Sequence, residues 1–180
     1  MVRKWLLAAV LAAAAVFCHS EESLPKGYRN ISFGMSVSTV KDELKKDKSF
    51  GYRGDRDVSL LPGENRTLIE TDTTRTAPNS FLEKCWFQFY EDKLYTITIN
   101  FRQSKLDHYS IYSSLEKKYG KPSSLSPEKI QWESDDTIMS LERPLVIKYT
   151  DKAVLEELRS KVRVEKTNEE KNRQDFLDSL

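Results

Sequence analysis

Histidine and cysteine are nearly missing from this chain, with two of each in 180 residues. Cys18 and His19 sit in the N-terminal stretch, so Cys85 and His108 stand alone in the remainder. Without its first twenty residues the chain has no second thiol for an intramolecular disulfide, and it lacks the thiol–imidazole spacings that hold zinc. Stability then has to come from packing. A nucleophilic Cys85 needs a base and a lowered pKa, and His108 is the one imidazole to hand. A cysteine serving as a small buried hydrophobe is the simpler reading. A Ser-His-Asp site would have to use the same His108, and no nucleophile-elbow sequence is present. P-loop and dinucleotide fingerprints are missing too, so no cofactor and no metal are expected. Neither sign of charge is in excess, with 29 basic against 28 acidic residues, which leaves no global field to attract nucleic acid or anionic lipid.

Long apolar runs are also scarce. The one present, Trp5 to Phe17, has 13 residues, short of the roughly 20 that a membrane span requires. Arg3 and Lys4 precede it, and Cys18-His19-Ser20 leads into Glu21-Glu22, the layout of a secretory signal peptide cut after Ser20. Acylation at Cys18 is disfavoured by bulky Phe17 in front of it. Removal of residues 1–20 takes away Arg3 and Lys4 and leaves 160 residues, 27 basic and 28 acidic, a net charge of −1. The expectation is an exported protein, periplasmic or extracellular, with no transmembrane span after signal removal.

Residues 21–30 read as a flexible lead-in and 31–150 as one α+β domain. Ser36 is a good N-cap, and Met35 with Val40 has the spacing of a hydrophobic staple. Val37, Val40 and Leu44 share a face, which predicts a helix over 37–46. Short β-like runs follow at 58–61 and 67–71. In KCWFQFYEDKLYTITINF, residues 84–101, apolar and polar side chains alternate with the period of a strand. A three-residue loop, Glu91-Asp92-Lys93, pairs Phe89 with Tyr95, Phe87 with Ile97 and Cys85 with Ile99, and keeps both apolar rows on one side. Trp86, Tyr90 and Leu94 then point outward. Either another element covers them or they form an exposed patch, the candidate surface for a partner.

Asp107 begins a second helix whose stripe is Ile111, Tyr112, Leu115 and Tyr119, ended by Gly120 and Pro122. Further sheet follows: Ile130 and Trp132 oppose Leu141 and Met139 across a turn at Asp135-Asp136, and Leu145, Ile147 and Tyr149 form a last strand after Pro144. Residues 151–180 start as an amphipathic helix through Val154, Leu155, Leu158 and Val162, then become a charged tail, helical or disordered. Ser36, Val40 and Leu44 correspond to Asp107, Ile111 and Leu115, so residues 31–105 and 106–150 read as two tandem repeats.

Phe33-Gly34-Met35-Ser36 before Val40, EDKLYTITINF, and Tyr119-Gly120-Lys121-Pro122 after a helix together resemble small exported bacterial α+β modules. These are the SmpA/OmlA-type lipoproteins and the tandem-module β-lactamase inhibitor protein. The resemblance implies an antiparallel sheet, or sheets, with two short helices packed on one face, and a habit of binding proteins. The expected role is therefore a non-catalytic envelope protein that binds another envelope protein. A carboxylate- or metal-dependent hydrolase using residues 53–72 is the alternative, with Asp55, Asp57, Glu70 and Asp72 converging. The Asp55-Arg56-Asp57 start of a calcium loop fails at Leu60 and Arg66, where glycine and glutamate belong. Arg53-Gly54-Asp55 suggests a third possibility, an adhesin.

Overall fold

A computed structural model describes residues 23–62 and 65–179. The signal peptide expected over residues 1–20, with Cys18 and Ser20, lies outside the described residues.

The chain opens with a small hairpin, Gly27–Tyr28 (β1) against Ile31–Ser32 (β2). A Cβ at Gly27 would stand 2.1 Å from the Ile31 carbonyl oxygen, so the two strands close only on glycine. Residues 27–30, expected as part of a flexible lead-in, lie instead in this hairpin. Leu24 and Tyr28 pack on the core, and the Tyr28 ring meets Phe50 edge-on at 6.1 Å and stacks on Tyr149 at 6.3 Å. Arg29 lies 5.2 Å over Tyr28 and 5.4 Å over Phe50 and donates to Asp47. One aromatic and one cation anchor a stretch whose composition reads as loop.

Helix α1, Val37–Lys46, starts where expected: Ser36 accepts from the Thr39 N–H at 3.2 Å, and Val40 and Leu44 are buried. Two 3-10 turns, at 48–50 and 55–57, lead into β3 (Val58–Leu60), β4 (Arg66–Asp72), β5 (Leu82–Tyr90) and β6 (Lys93–Phe101). Helix α2, His108–Tyr119, is capped by Asp107, which accepts from the Ser110 N–H at 2.9 Å. Strands β7 (Ser124–Leu125), β8 (Lys129–Glu133), β9 (Thr137–Glu142) and β10 (Val146–Asp151) follow, and the long helix α3 runs from Lys152 to Asp178. Pro144, on a cis bond, sits in the β9–β10 turn.

The fold is α+β. One sheet holds eight strands in the order β3-β4-β5-β6-β10-β9-β8-β7, every neighbouring pair antiparallel. Each half is a helix followed by a four-strand meander, and the halves meet where Ile97 faces Tyr149 and Ile99 faces Ile147. In the second half Ile130 pairs with Leu141 and Trp132 with Met139, the pairing that the alternation predicts. Side chains of one sheet face, among them Ile69, Phe87, Ile97, Met139 and Leu141, join Val40 and Leu44 in the core. The two tryptophans among the described residues are not counterparts. Trp132 on β8 is buried in the core, while Trp86 on β5 is half-buried on the other face.

The β5–β6 hairpin departs from the expected three-residue loop. Its turn is two residues, Glu91 and Asp92, with φ of 49° and 59°, the left-handed pair that a tight hairpin requires. Cys85 faces Ile99 and Phe87 faces Ile97 as expected, but Phe89 pairs with Leu94, and Tyr95 is the extra residue of a bulge. The cause lies far off in sequence. Beyond the end of β10, Gly34 donates to the Leu94 carbonyl at 2.8 Å and Leu94 donates to the Met35 carbonyl at 2.9 Å. That clamp turns Leu94 into the core, at 1% exposure, and sends Tyr95 to the opposite face. The tail takes the helical form of the two expected: α3 is helical to Asp178, with Leu158 its one buried residue.

Candidate functional site

The face of the sheet turned away from α1 and α2 is polar, because the alternation that aims Phe87, Ile97 and Tyr149 inward aims their neighbours outward. Trp86, Thr98, Lys148, Ser140 and Gln131 form one row across five strands; Gln88, Thr96, Thr150, Ile138 and Glu133 form the next. The start of α3 lies against this second face. Asp151 caps it by accepting from the Val154 N–H at 3.1 Å, and Lys152 Nζ reaches Glu133 Oε1 at 2.7 Å. Leu155 and Leu158 supply its apolar contact. Lys161 ends the docked part: its Nζ sits 4.9 Å over the Tyr90 ring, 2.5 Å from the Tyr90 hydroxyl and 2.7 Å from Glu157. Glu157, then Tyr90, raises the pKa of that ammonium.

A groove of about 330 Å³ remains between α3 and the sheet, floored by Gln88, Thr96, Ser140 and Lys148 and walled by Leu155 and Arg159. Tyr95, displaced by the bulge, lines it and donates to Gln88 Oε1 at 3.1 Å.

The candidate patch of Trp86, Tyr90 and Leu94 is divided by the same bulge. Trp86 and Tyr90 are half-buried residues of the second face, separated along β5 by Gln88, and Lys161 covers Tyr90. Leu94 belongs to the core and is corrected out of the patch. Tyr95, expected opposite Phe89 in the apolar row, lines the groove instead, together with Lys148 and Arg159. The outward parity of Lys148 was readable from its strand; the position of Arg159 depended on where α3 lands.

The groups weighed for chemistry have other occupations. Cys85 is fully buried, facing Thr71 on one side and Ile99 on the other, and burial pushes its pKa up to about 12. His108 is half-buried at the start of α2, where desolvation, then the Arg143 guanidinium, lowers its pKa. Asp57, its side chain wholly buried, accepts from the Arg53 backbone N–H at 2.8 Å and from Arg53 Nε at 2.9 Å, which folds the 53–57 loop. Asp55 is 93% exposed and pairs with Lys41 at 2.9 Å, an interaction that lowers its pKa. Glu70 lies 3.6 Å from Lys84, and Asp72 accepts from the Thr74 N–H at 2.7 Å, which lowers its pKa. The four carboxylates of the 53–72 region therefore have four separate partners and do not converge. Arg53 and Asp55 of the Arg-Gly-Asp tripeptide are each engaged with a different neighbour. Among the described residues no three histidine, cysteine or acidic side chains are grouped to hold a metal ion, and no helix is long and apolar enough to cross a membrane.

Residues 26–161 match the TP0088 domain family, and the chain belongs to that family. The match ends at Lys161, where α3 loses its hold on the sheet. No curated protein and no solved structure matches the chain.

Proposed function

We propose that this member of the TP0088 family is an exported, non-catalytic protein of the cell envelope that binds another envelope protein through the second face of its sheet. The observation that carries the reading is the groove between α3 and that face. Amide, hydroxyl and aromatic side chains line its antiparallel floor, the mixture that suits protein recognition. The N-terminal signal sequence supports export. Kinship with SmpA/OmlA-type and inhibitor-type modules is part of the same proposal, and the two helix-plus-meander halves support it.

In-cell photocrosslinking tests the proposal. A benzophenone amino acid at position 86 is expected to trap one protein, identified by mass spectrometry, while the same group at position 45, on α1 across the core, traps none. Equal capture from both positions rejects the surface. Turnover of an envelope substrate by the purified protein, lost on a single substitution, rejects the non-catalytic role.

A further inference from the structure

Around the α3 groove, most cations already have an acidic neighbour. Lys152 pairs with Glu133 at 2.7 Å, Lys161 with Glu157 at 2.7 Å and Lys129 with Glu142 at 3.8 Å. Lys148 and Arg159 line the same groove and carry no ion pair with any described residue. Glu156, the remaining lining acid, makes no ion pair with a described residue and acts only at longer range on Lys152, so one positive charge remains in surplus. Lys148 is half-buried in the middle of the sheet, and its register neighbours are Thr98 and Ser140, neither of which offers a countercharge. A partly desolvated ammonium in that position is best compensated by a carboxylate from outside the chain.

We infer that the groove binds an acidic segment of the partner protein, with an aspartate or glutamate carboxylate taken by the Lys148 ammonium and the Arg159 guanidinium. This rests on the protein-binding reading above and names the chemistry that the surface recognises. A single surplus charge fits one carboxylate; a lipid surface is recognised by clusters of several basic residues. Ile138 and Leu155 offer apolar contact for side-chain methylenes, and Gln131, across Ser140 from Lys148, offers an amide partner for a peptide backbone.

The test uses the purified protein and fluorescein-labelled tetraglutamate, with tetraglutamine, inorganic phosphate and phosphatidylglycerol vesicles as comparisons. Tetraglutamate is expected to bind, and more weakly as salt rises. Lys148→Gln and Arg159→Gln should each weaken it about tenfold, the effect of one charge-assisted hydrogen bond. Lys45→Gln, on α1, should leave it unchanged. Arg159 is exposed on a helix, so its variant reports on binding even if the Lys148 variant folds poorly. Equal binding of tetraglutamate and tetraglutamine overturns the inference, as does tetraglutamate binding by Arg159→Gln at the unmodified level. Binding of phosphate or vesicles that depends on Lys148 while tetraglutamate stays unbound overturns it in favour of a phosphate-bearing ligand. If tetraglutamate fails but the position-86 crosslink persists, acidic recognition falls and protein binding stands. Failure of both removes the two together.

Discussion

The two halves of the sheet share a plan and differ in how they are held. In the first, α1 buries Val40 and Leu44 at 0% and 1% exposure, against a core rich in phenylalanine. Its first turn is also fastened to the β5–β6 hairpin, because the Val37 N–H donates to Asp92 Oδ1 at 3.0 Å. In the second, α2 buries no residue completely. It rests on Trp132, whose Nε1 donates to the Gly120 carbonyl at 2.9 Å and whose ring lies 6.3 Å from Tyr112. The same capping and stripe thus yield a helix sunk into the core in one repeat and a helix lying on its surface in the other. Val40 and Leu44 are fully enclosed, whereas the matched Ile111 and Leu115, with Tyr112 and Tyr119 on the same stripe, stay half-buried. Periodicity reports which face is apolar, not how deep that face goes.

Paired truncations put the difference to its hardest test. Leu44→Ala should cost about 2–5 kcal/mol, as removal of a fully packed leucine does. Leu115→Ala, half-buried at the equivalent place, should cost about 1 kcal/mol, since less apolar area leaves water there. Urea unfolding followed by tryptophan fluorescence gives both values, and equal losses would erase the contrast.

Cys85 reports on the first half alone. A thiol held to about 12 by burial should not react with Ellman's reagent at pH 8 until the sheet opens, and should react fully in urea. The sign of its linkage follows. The unfolded thiol releases its proton near its ordinary 9.0 while the folded one retains it, so stability is full below about pH 9 and falls as pH rises from there toward about 12. Denaturant titrations at pH 8 and pH 10.5 measure the loss. Rapid labelling of the native protein would mean that β5 opens readily and that the first half is not the firmer one.

The smallest effect is expected from the end of the chain. Beyond Lys161, α3 buries nothing among the described residues, so truncation after Lys161 should change the melting free energy by less than about 0.5 kcal/mol. A larger loss in thermal unfolding would show that the distal helix props up one of the halves.

Much of this architecture was legible in the sequence. Both capped helices and the pairing of Ile130 and Trp132 with Leu141 and Met139 follow from local signals that the fold respects. The bulge at Tyr95 was not legible. It depends on Gly34 and Met35 occupying the edge of β6, a contact between segments 60 residues apart in sequence, as in the Gly34–Leu94 hydrogen bond. The candidate surface inherited that error. Parity assigned Trp86 correctly and Leu94 incorrectly, and the groove became visible only once α3 was placed over Lys148.

Joining two meanders through β6 and β10 also governs what the molecule offers to its own copies. A free four-strand half would end in the nine-residue β6 or the six-residue β10, an unsatisfied ladder on which further chains could template. Fusion hides both and leaves β3 and β7, of three and two residues, as the sheet's outer margins. Each margin is too brief to seed a growing fibril, so joining the two meanders in one polypeptide acts here as protection against self-association.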